Sequence, residues 1–165
     1  MSYTKEGLDY FSFDVDFFED PKVEFISAKF GTKGKVILVE LLCRIYRNGY
    51  YLNWDDDQAT IFAKRVGDGV TYALVNDVVR ESCRREFFDR NILAKFGVLT
   101  SNGIQKRYFE AAKRRKEINV FEEFLVQKHN LPQNVYILKR NVNILNQNAD
   151  ILRQSKVKES IVKES

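Results

Sequence analysis

The chain has 165 residues, of which 44% are hydrophobic and 13% aromatic, and its 27 basic and 23 acidic side chains leave a net charge of +4. That length and apolar content suit one domain with one core. No run of 18 apolar residues occurs and Met1–Asp14 lacks the basic-then-apolar order of a signal peptide, so the sequence argues against a membrane span and against export and points to a cytoplasmic protein.

The chain opens with an aromatic arm, residues 1–18, in which Tyr10, Phe11, Phe13, Phe17 and Phe18 are interleaved with Asp9, Asp14 and Asp16. Its rings are expected to pack on the domain that follows, residues 19–128. Asp20-Pro21 is a helix start, because the Asp side chain accepts from free amides of the first turn and proline tolerates the first helical position. Val23, Ile26 and Phe30 share one face, and Gly31 closes this helix. Gly34–Asn48 is apolar on most sides, through Val36, Ile37, Leu38, Val39, Leu41, Leu42, Ile45 and Tyr46, and reads as the central core helix, with Glu40 and Arg44 spaced to pair. Tyr50–Trp54 has the aromatic content of a strand.

Asp55-Asp56-Asp57 caps a helix over Asp57–Arg65 that directs Ile61, Phe62 and Val66 inward, and Gly67-Asp68-Gly69 turns the chain into a second helix, Thr71–Arg85. In the latter, Leu74, Val75, Val78, Val79 and Cys83 face the core by spacing, while Tyr72, Asn76, Arg80 and Arg84 recur every four residues on the opposite stripe. Ile92–Thr100 reads as a hairpin with its corner at Phe96-Gly97. Ser101 caps a last helix, inward at Ile104, Tyr108, Ala111 and Ala112, whose pattern continues through Phe121, Phe124 and Leu125 to Lys128. Residues 129–165 form an Asn-, Ser- and Lys-rich tail, expected to be disordered from Gln133. In it Val157-Lys158-Glu159-Ser160 repeats as Val162-Lys163-Glu164-Ser165, and Val142, Ile144, Leu145, Ile151 and Leu152 could dock on a partner.

This order makes the fold mainly α with a small β component (α+β): a winged helix-turn-helix with an N-terminal arm, extra helices and a disordered C-terminal tail. Charge is unevenly spread. Residues 1–30 hold three basic and seven acidic side chains, and 101–116 hold six basic and one acidic, so almost the whole positive excess lies in sixteen residues. The DNA-binding candidates follow. Thr71, Tyr72, Asn76, Arg80 and Arg84 have the groups to read a major groove, although Asp77 and Glu81 on that face would repel phosphates. Lys95 on the wing, with Lys106, Arg107 and the Lys113-Arg114-Arg115-Lys116 cluster, would contact the backbone.

No catalytic, cofactor-binding or metal-ligating set emerges. Cys43 and Cys83, both in apolar helical stretches, lack the spacing of a metal or redox motif and read as buried free thiols. His129 has no Cys or His partner and reads as a surface residue. The clusters Asp14, Asp16, Glu19, Asp20 and Asp55, Asp56, Asp57 are explained by helix capping, with Asp20 and Asp57 as the caps. With no Lys or His at catalytic spacing, a Mg²⁺-dependent nuclease is not indicated.

The strings Asp20-Pro21-Lys22, Phe30-Gly31-Thr32-Lys33-Gly34, Leu41-Leu42, Ile45-Tyr46, Gly49–Asp56, Phe87-Phe88-Asp89, Gly97–Ser101 and Ile104–Tyr108 together resemble the Lin-type N-terminal domain of phage and prophage proteins. That domain is similar in fold to the N-terminal winged helix of DnaD-like replisome organisers. The resemblance spans roughly residues 8–116 and implies a bacterial mobile-element setting and a role near the initiation of DNA replication. The function expected on both grounds is binding of DNA, duplex or single-stranded, in company with replication proteins and without chemistry. The alternatives are a protein–protein assembly module that forms a homo-oligomer or adaptor, and a transcriptional regulator.

Overall fold

The computed structural model describes residues 5–140 and the backbone of Glu159–Ser160. A 3-10 turn, Phe17–Glu19, leads into α1, Pro21–Asn48, where the Asp20 carboxylate accepts from the Lys22 amide at 2.8 Å and Gly31 (φ 69°, ψ −157°) breaks the helix into the two expected segments. The second segment buries Ile37, Leu38, Leu41, Leu42, Ile45 and Tyr46 completely or nearly so. At about 1.5–3 kcal/mol for each large apolar side chain, this stripe is a substantial part of the hydrophobic stability. Val36 departs from the expectation and is exposed, and Arg44 lies 4.8 Å over the Phe62 ring.

Short β1, Leu52–Asn53, precedes α2, Asp56–Val66, and α3, Tyr72–Arg84. Asp55, rather than Asp57, is the cap of α2, accepting from the Gln58 amide at 2.8 Å. Helix α2 buries Ala59, Phe62 and Ala63 and leaves Ile61 exposed, against expectation. In α3 Val75, Val78, Val79 and Cys83 are buried as the spacing demands, with Leu74 half-buried.

The expected hairpin over Ile92–Thr100 is not formed. Ile92–Lys95 lie inside α4, Arg90–Phe96, because the Asp89 carboxylate accepts from the Ile92 amide at 2.9 Å and starts a helix that Gly97, left-handed at φ 64°, ends. Only Val98–Leu99 are extended, as β2, and they pair antiparallel with β1 in the register Leu52↔Leu99 and Asn53↔Val98. Lys95 therefore sits on a helix and not on a wing.

Ser101 caps α5, Asn102–Ala112, as expected, but the helix stops there. Asn134 donates its side-chain amide to the Arg115 carbonyl at 2.9 Å and reaches those of Ala112 and Lys113 at 3.4 Å, taking up acceptors that a longer helix would have used. The chain then forms β3, Ile118–Phe121, a 3-10 turn, Glu122–Phe124, and β4, Val135–Leu138. Two expectations are thereby corrected: the helix does not run to Lys128, and the segment from Gln133 is ordered through β4. Strands β3 and β4 are parallel, Ile118↔Val135 through Phe121↔Leu138, and residues 122–134 are just long enough for the crossover. Their alternate residues Ile118, Val120, Val135 and Ile137 turn into the core. The two residues of β5, Glu159–Ser160, pair antiparallel with β4. The rest of the tail expectations, including the second copy of the repeat and Val142, Ile144, Leu145, Ile151 and Leu152, fall outside the described residues.

One buried polar side chain holds this last layer in place. Gln105 donates to Thr100 Oγ1 at 3.0 Å and to the Phe124 carbonyl at 2.6 Å and accepts from the Val126 amide at 3.0 Å, while Thr100 donates to the Tyr50 carbonyl at 2.6 Å. Tyr50 in turn accepts from the Phe121 amide at 2.8 Å, and burial raises its phenol well above the ordinary range. The expected outcome for Gln105→Ala is a loss of about 2–4 kcal/mol in urea unfolding, from a cavity plus orphaned backbone groups.

The thiols differ from the expectation in one respect: Cys83 is buried but Cys43 is exposed. Burial pushes the Cys83 thiol up to about 11, which leaves almost no thiolate at pH 8. A disulfide reagent at that pH should therefore titrate one thiol rapidly in the native protein and two after denaturation.

Candidate nucleic-acid interface

Helices α2 and α3 are joined by residues 67–71 and pack on each other, and α3 also packs along α1. Thr71 is exposed, and its hydroxyl caps α3, accepting from the Leu74 amide at 3.1 Å. Tyr72 donates to the Asp56 carboxylate at 2.7 Å, which raises the phenol above its ordinary range, and Asn76 is half-buried. Arg80 and Arg84 do face solvent, with side chains 69% and 67% exposed, Arg80 bridging to Asp77 at 3.1 Å and Arg84 to Glu81 at 3.0 Å. The stripe thus holds two guanidinium groups and a tyrosine in place of a row of free ligands.

Glu81 corrects the sequence reading in an important way. It is buried instead of lying open beside Asp77, and its Oε1 accepts from Lys29 of α1 at 2.9 Å as well as from Arg84. Hydrogen bonding from Lys29, with support from Arg84, holds its carboxyl below the usual range. Around this pair lie Lys22, donating to the Glu86 carbonyl at 3.2 Å, and Arg85, whose guanidinium sits 3.4 Å over the Phe25 ring. The sequence places Arg85 beside the groove-reading stripe, but it assigns no DNA contact to Lys22 or Lys29. The available signal was the spacing of Lys22, Phe25 and Lys29, at i, i+3 and i+7 on one helical stripe.

The basic segment of α5 divides into bound and free residues. Arg107 pairs with Asp14 of the arm and Lys113 with Glu110. Arg115 is the anchor of the N-terminus, donating to the carbonyls of Lys5, Glu6 and Gly7 at 2.7, 2.7 and 2.6 Å. Tyr108 donates to Glu6 as well, and its phenol is pushed up by burial to about 12. The arm is fixed further by the Leu8 amide on the Tyr46 carbonyl at 2.8 Å and by Phe11 stacked on Tyr46 at 4.5 Å. At Gly7 a side chain would meet the Arg47 carbonyl. That leaves Lys95, Lys106, Arg114 and Lys116 exposed and without an ion pair among the described residues.

Among the described residues no group of three or more His, Cys, Asp or Glu is placed to hold a metal ion, and no helix is long and apolar enough to cross a membrane. His129 is exposed.

The geometry defines a mainly helical domain in which a two-helix unit, α2 and α3, rests on a long core helix and is closed by a two-stranded antiparallel pair. The chain belongs to the Lin1244/Lin1753-like N-terminal family, whose model matches residues 10–104. It is 39% identical over 122 residues to the uncharacterised phage-related protein Lin1244/Lin1753 of Listeria innocua serovar 6a, a stretch covering 74% of this chain and 39% of that protein. The chain thus spans well under half the length of that relative. No solved structure matches it.

The division of the α5 cluster is directly testable. Arg115→Ala should cost about 1–3 kcal/mol in thermal or urea unfolding and open residues 5–9 to limited proteolysis, whereas Arg114→Ala should stay within about 0.5 kcal/mol of the parent.

Proposed function

We propose that this is a DNA-binding protein of phage origin, acting near the initiation of replication, in which α2 and α3 serve as a helix-turn-helix of DnaD-like winged-helix type. In this reading β2 closes on β1 as the last strand of a winged helix does, and α4 stands where the first wing strand would be. The observation that carries it is α3: it is seated by Val75, Val78, Val79 and Cys83 and turns the heads of Arg80 and Arg84 to solvent. Lys106, Arg114 and Lys116 support it as exposed cations suited to phosphate contacts, which need charge more than geometric accuracy. Arg115, which donates to three carbonyls of the arm, is left out of the contact set, and Arg107 would have to reach DNA from its ion pair with Asp14.

A second reading has its own observation. Val15 is fully exposed, Tyr10 is 87% exposed, and Phe13 and Phe18 show about two-fifths of their surface, so the arm offers an apolar patch that a homo-oligomer or a replication partner could cover. Concentration-dependent mass by light scattering would reveal self-association.

The test of DNA binding is fluorescence anisotropy with labelled random duplex and single-stranded DNA at about 50 and 200 mM salt, where several phosphate contacts give a steep loss of affinity. Reversing Arg114 and Lys116 to Glu should weaken binding to all sequences and lower the slope of log K against log salt by about 2. Absence of binding at the lower salt, together with a stable oligomer, would favour the assembly module.

A further inference from the structure

The cluster around Glu81 joins parts of the chain that are far apart in sequence and combines features that a solvated helix face does not need. Lys29 Nζ and Arg84 both lie within 3.0 Å of the same carboxylate oxygen. The other oxygen, Glu81 Oε2, is buried and has no partner. The carboxylate is thus used from one side only, and that side carries two cations whose own side chains remain 48% and 67% exposed. One carboxylate cannot neutralise two cations, and Lys22 and Arg85 add two more at the ends of the same seam. Even with the exposed Glu86 counted, the seam carries a surplus of positive charge.

The donors are also held in place. Lys29 has two protons left after its bond to Glu81, and Arg84 has the remaining N–H groups of its fork. Since both heads touch one oxygen, they stand within about 6 Å of each other, a span that one tetrahedral anion can bridge. Arg85 is flattened on Phe25, which fixes the plane of its guanidinium while leaving its edge free to donate.

We propose that the seam between α1 and α3 is a phosphate cradle for the DNA backbone, in which Lys29 and Arg84 take one phosphate, Lys22 and Arg85 flank it, and buried Glu81 is the positioning residue that aims the central pair. This rests on the DNA-binding reading above and adds α1 to the contact surface. It also gives the recognition helix a fixed anchor at its C-terminal end, so that phosphate contacts there would set the register of α3 on the duplex.

The decisive variant is Lys29→Gln with Glu81→Gln, which leaves the net charge of the protein unchanged and leaves no buried carboxylate without its lysine. Lys29→Gln alone should lower the melting temperature, and the double substitution should recover most of it. On random duplex the double variant should show a salt slope lower by about 1, so that its affinity loss between about 50 and 200 mM salt is roughly threefold smaller than that of the wild type. Lys22→Gln with Arg85→Gln, at exposed positions outside the buried pair, should lower the slope by about 2 and decides the matter if the first variant fails to fold. Wild-type binding with unchanged slopes in the folded variants overturns the cradle alone. Absence of duplex binding by the wild type overturns the DNA reading and the cradle together.

Discussion

The structure turns on the requirement that a buried amide must satisfy all its polar atoms. Gln105 sits in the core on α5, where an apolar residue would ordinarily be, and its side chain bonds to Thr100, Phe124 and Val126. Thr100 passes the constraint to the Tyr50 carbonyl and Tyr50 passes it to the Phe121 amide, so the ends of both small sheets are tied through two side chains and a phenol. A network of this kind in a low-dielectric interior tolerates no partial version, since each unpaired member would carry its full desolvation cost. That is why the layer of β3 and β4, whose strands are only four residues long, can be placed uniquely on the helices.

The same economy governs charge. The sequence is polarised, acidic at its start and basic through α5, and folding brings these two ends together: Asp14 meets Arg107, and Arg115 grips the arm's carbonyls. Part of what looks in the sequence like a surface field is therefore internal compensation. Two of the places where positive charge remains outward bear on the site. One is Arg114 and Lys116, just past the end of α5. The other is the seam of α1 and α3, where the lysines belong to a helix segment beginning at Pro21.

How far the sequence is legible follows from the range of each interaction. Caps and helical periods are local, so the start at Asp20-Pro21, the core stripe Ile37–Tyr46, the break at Gly31 and the cap at Ser101 can all be read directly. Short segments compete closely: Ile92–Lys95 has the apolar character of a strand, and only the Asp89 cap three residues earlier and the left-handed Gly97 tip it into a helix. Phe121 and Phe124 fit a helical spacing, yet β3 is extended because its partner β4 arrives from an Asn-rich stretch that composition alone assigns to a tail. The site is harder still. That Glu81 is buried depends on a lysine 52 residues away, and that Arg115 is an anchor depends on carbonyls more than 100 residues away. Neither fact has a local signature.

The joint at Gln105 bears on where this module can be cut or fused. The family match covers residues 10–104, so it ends one residue before the amide that locks the last layer and begins after the three carbonyls that Arg115 holds. The stretch that the family model matches and the unit that packs as one body are therefore not the same. A cut that kept only the matched stretch would leave Thr100 and the Tyr50 phenol facing a gap, and whatever sequence followed would have to supply a donor and an acceptor in the same two places. This makes residues 105–138 a matched closing piece, replaceable only by another that repeats its hydrogen-bonding pattern.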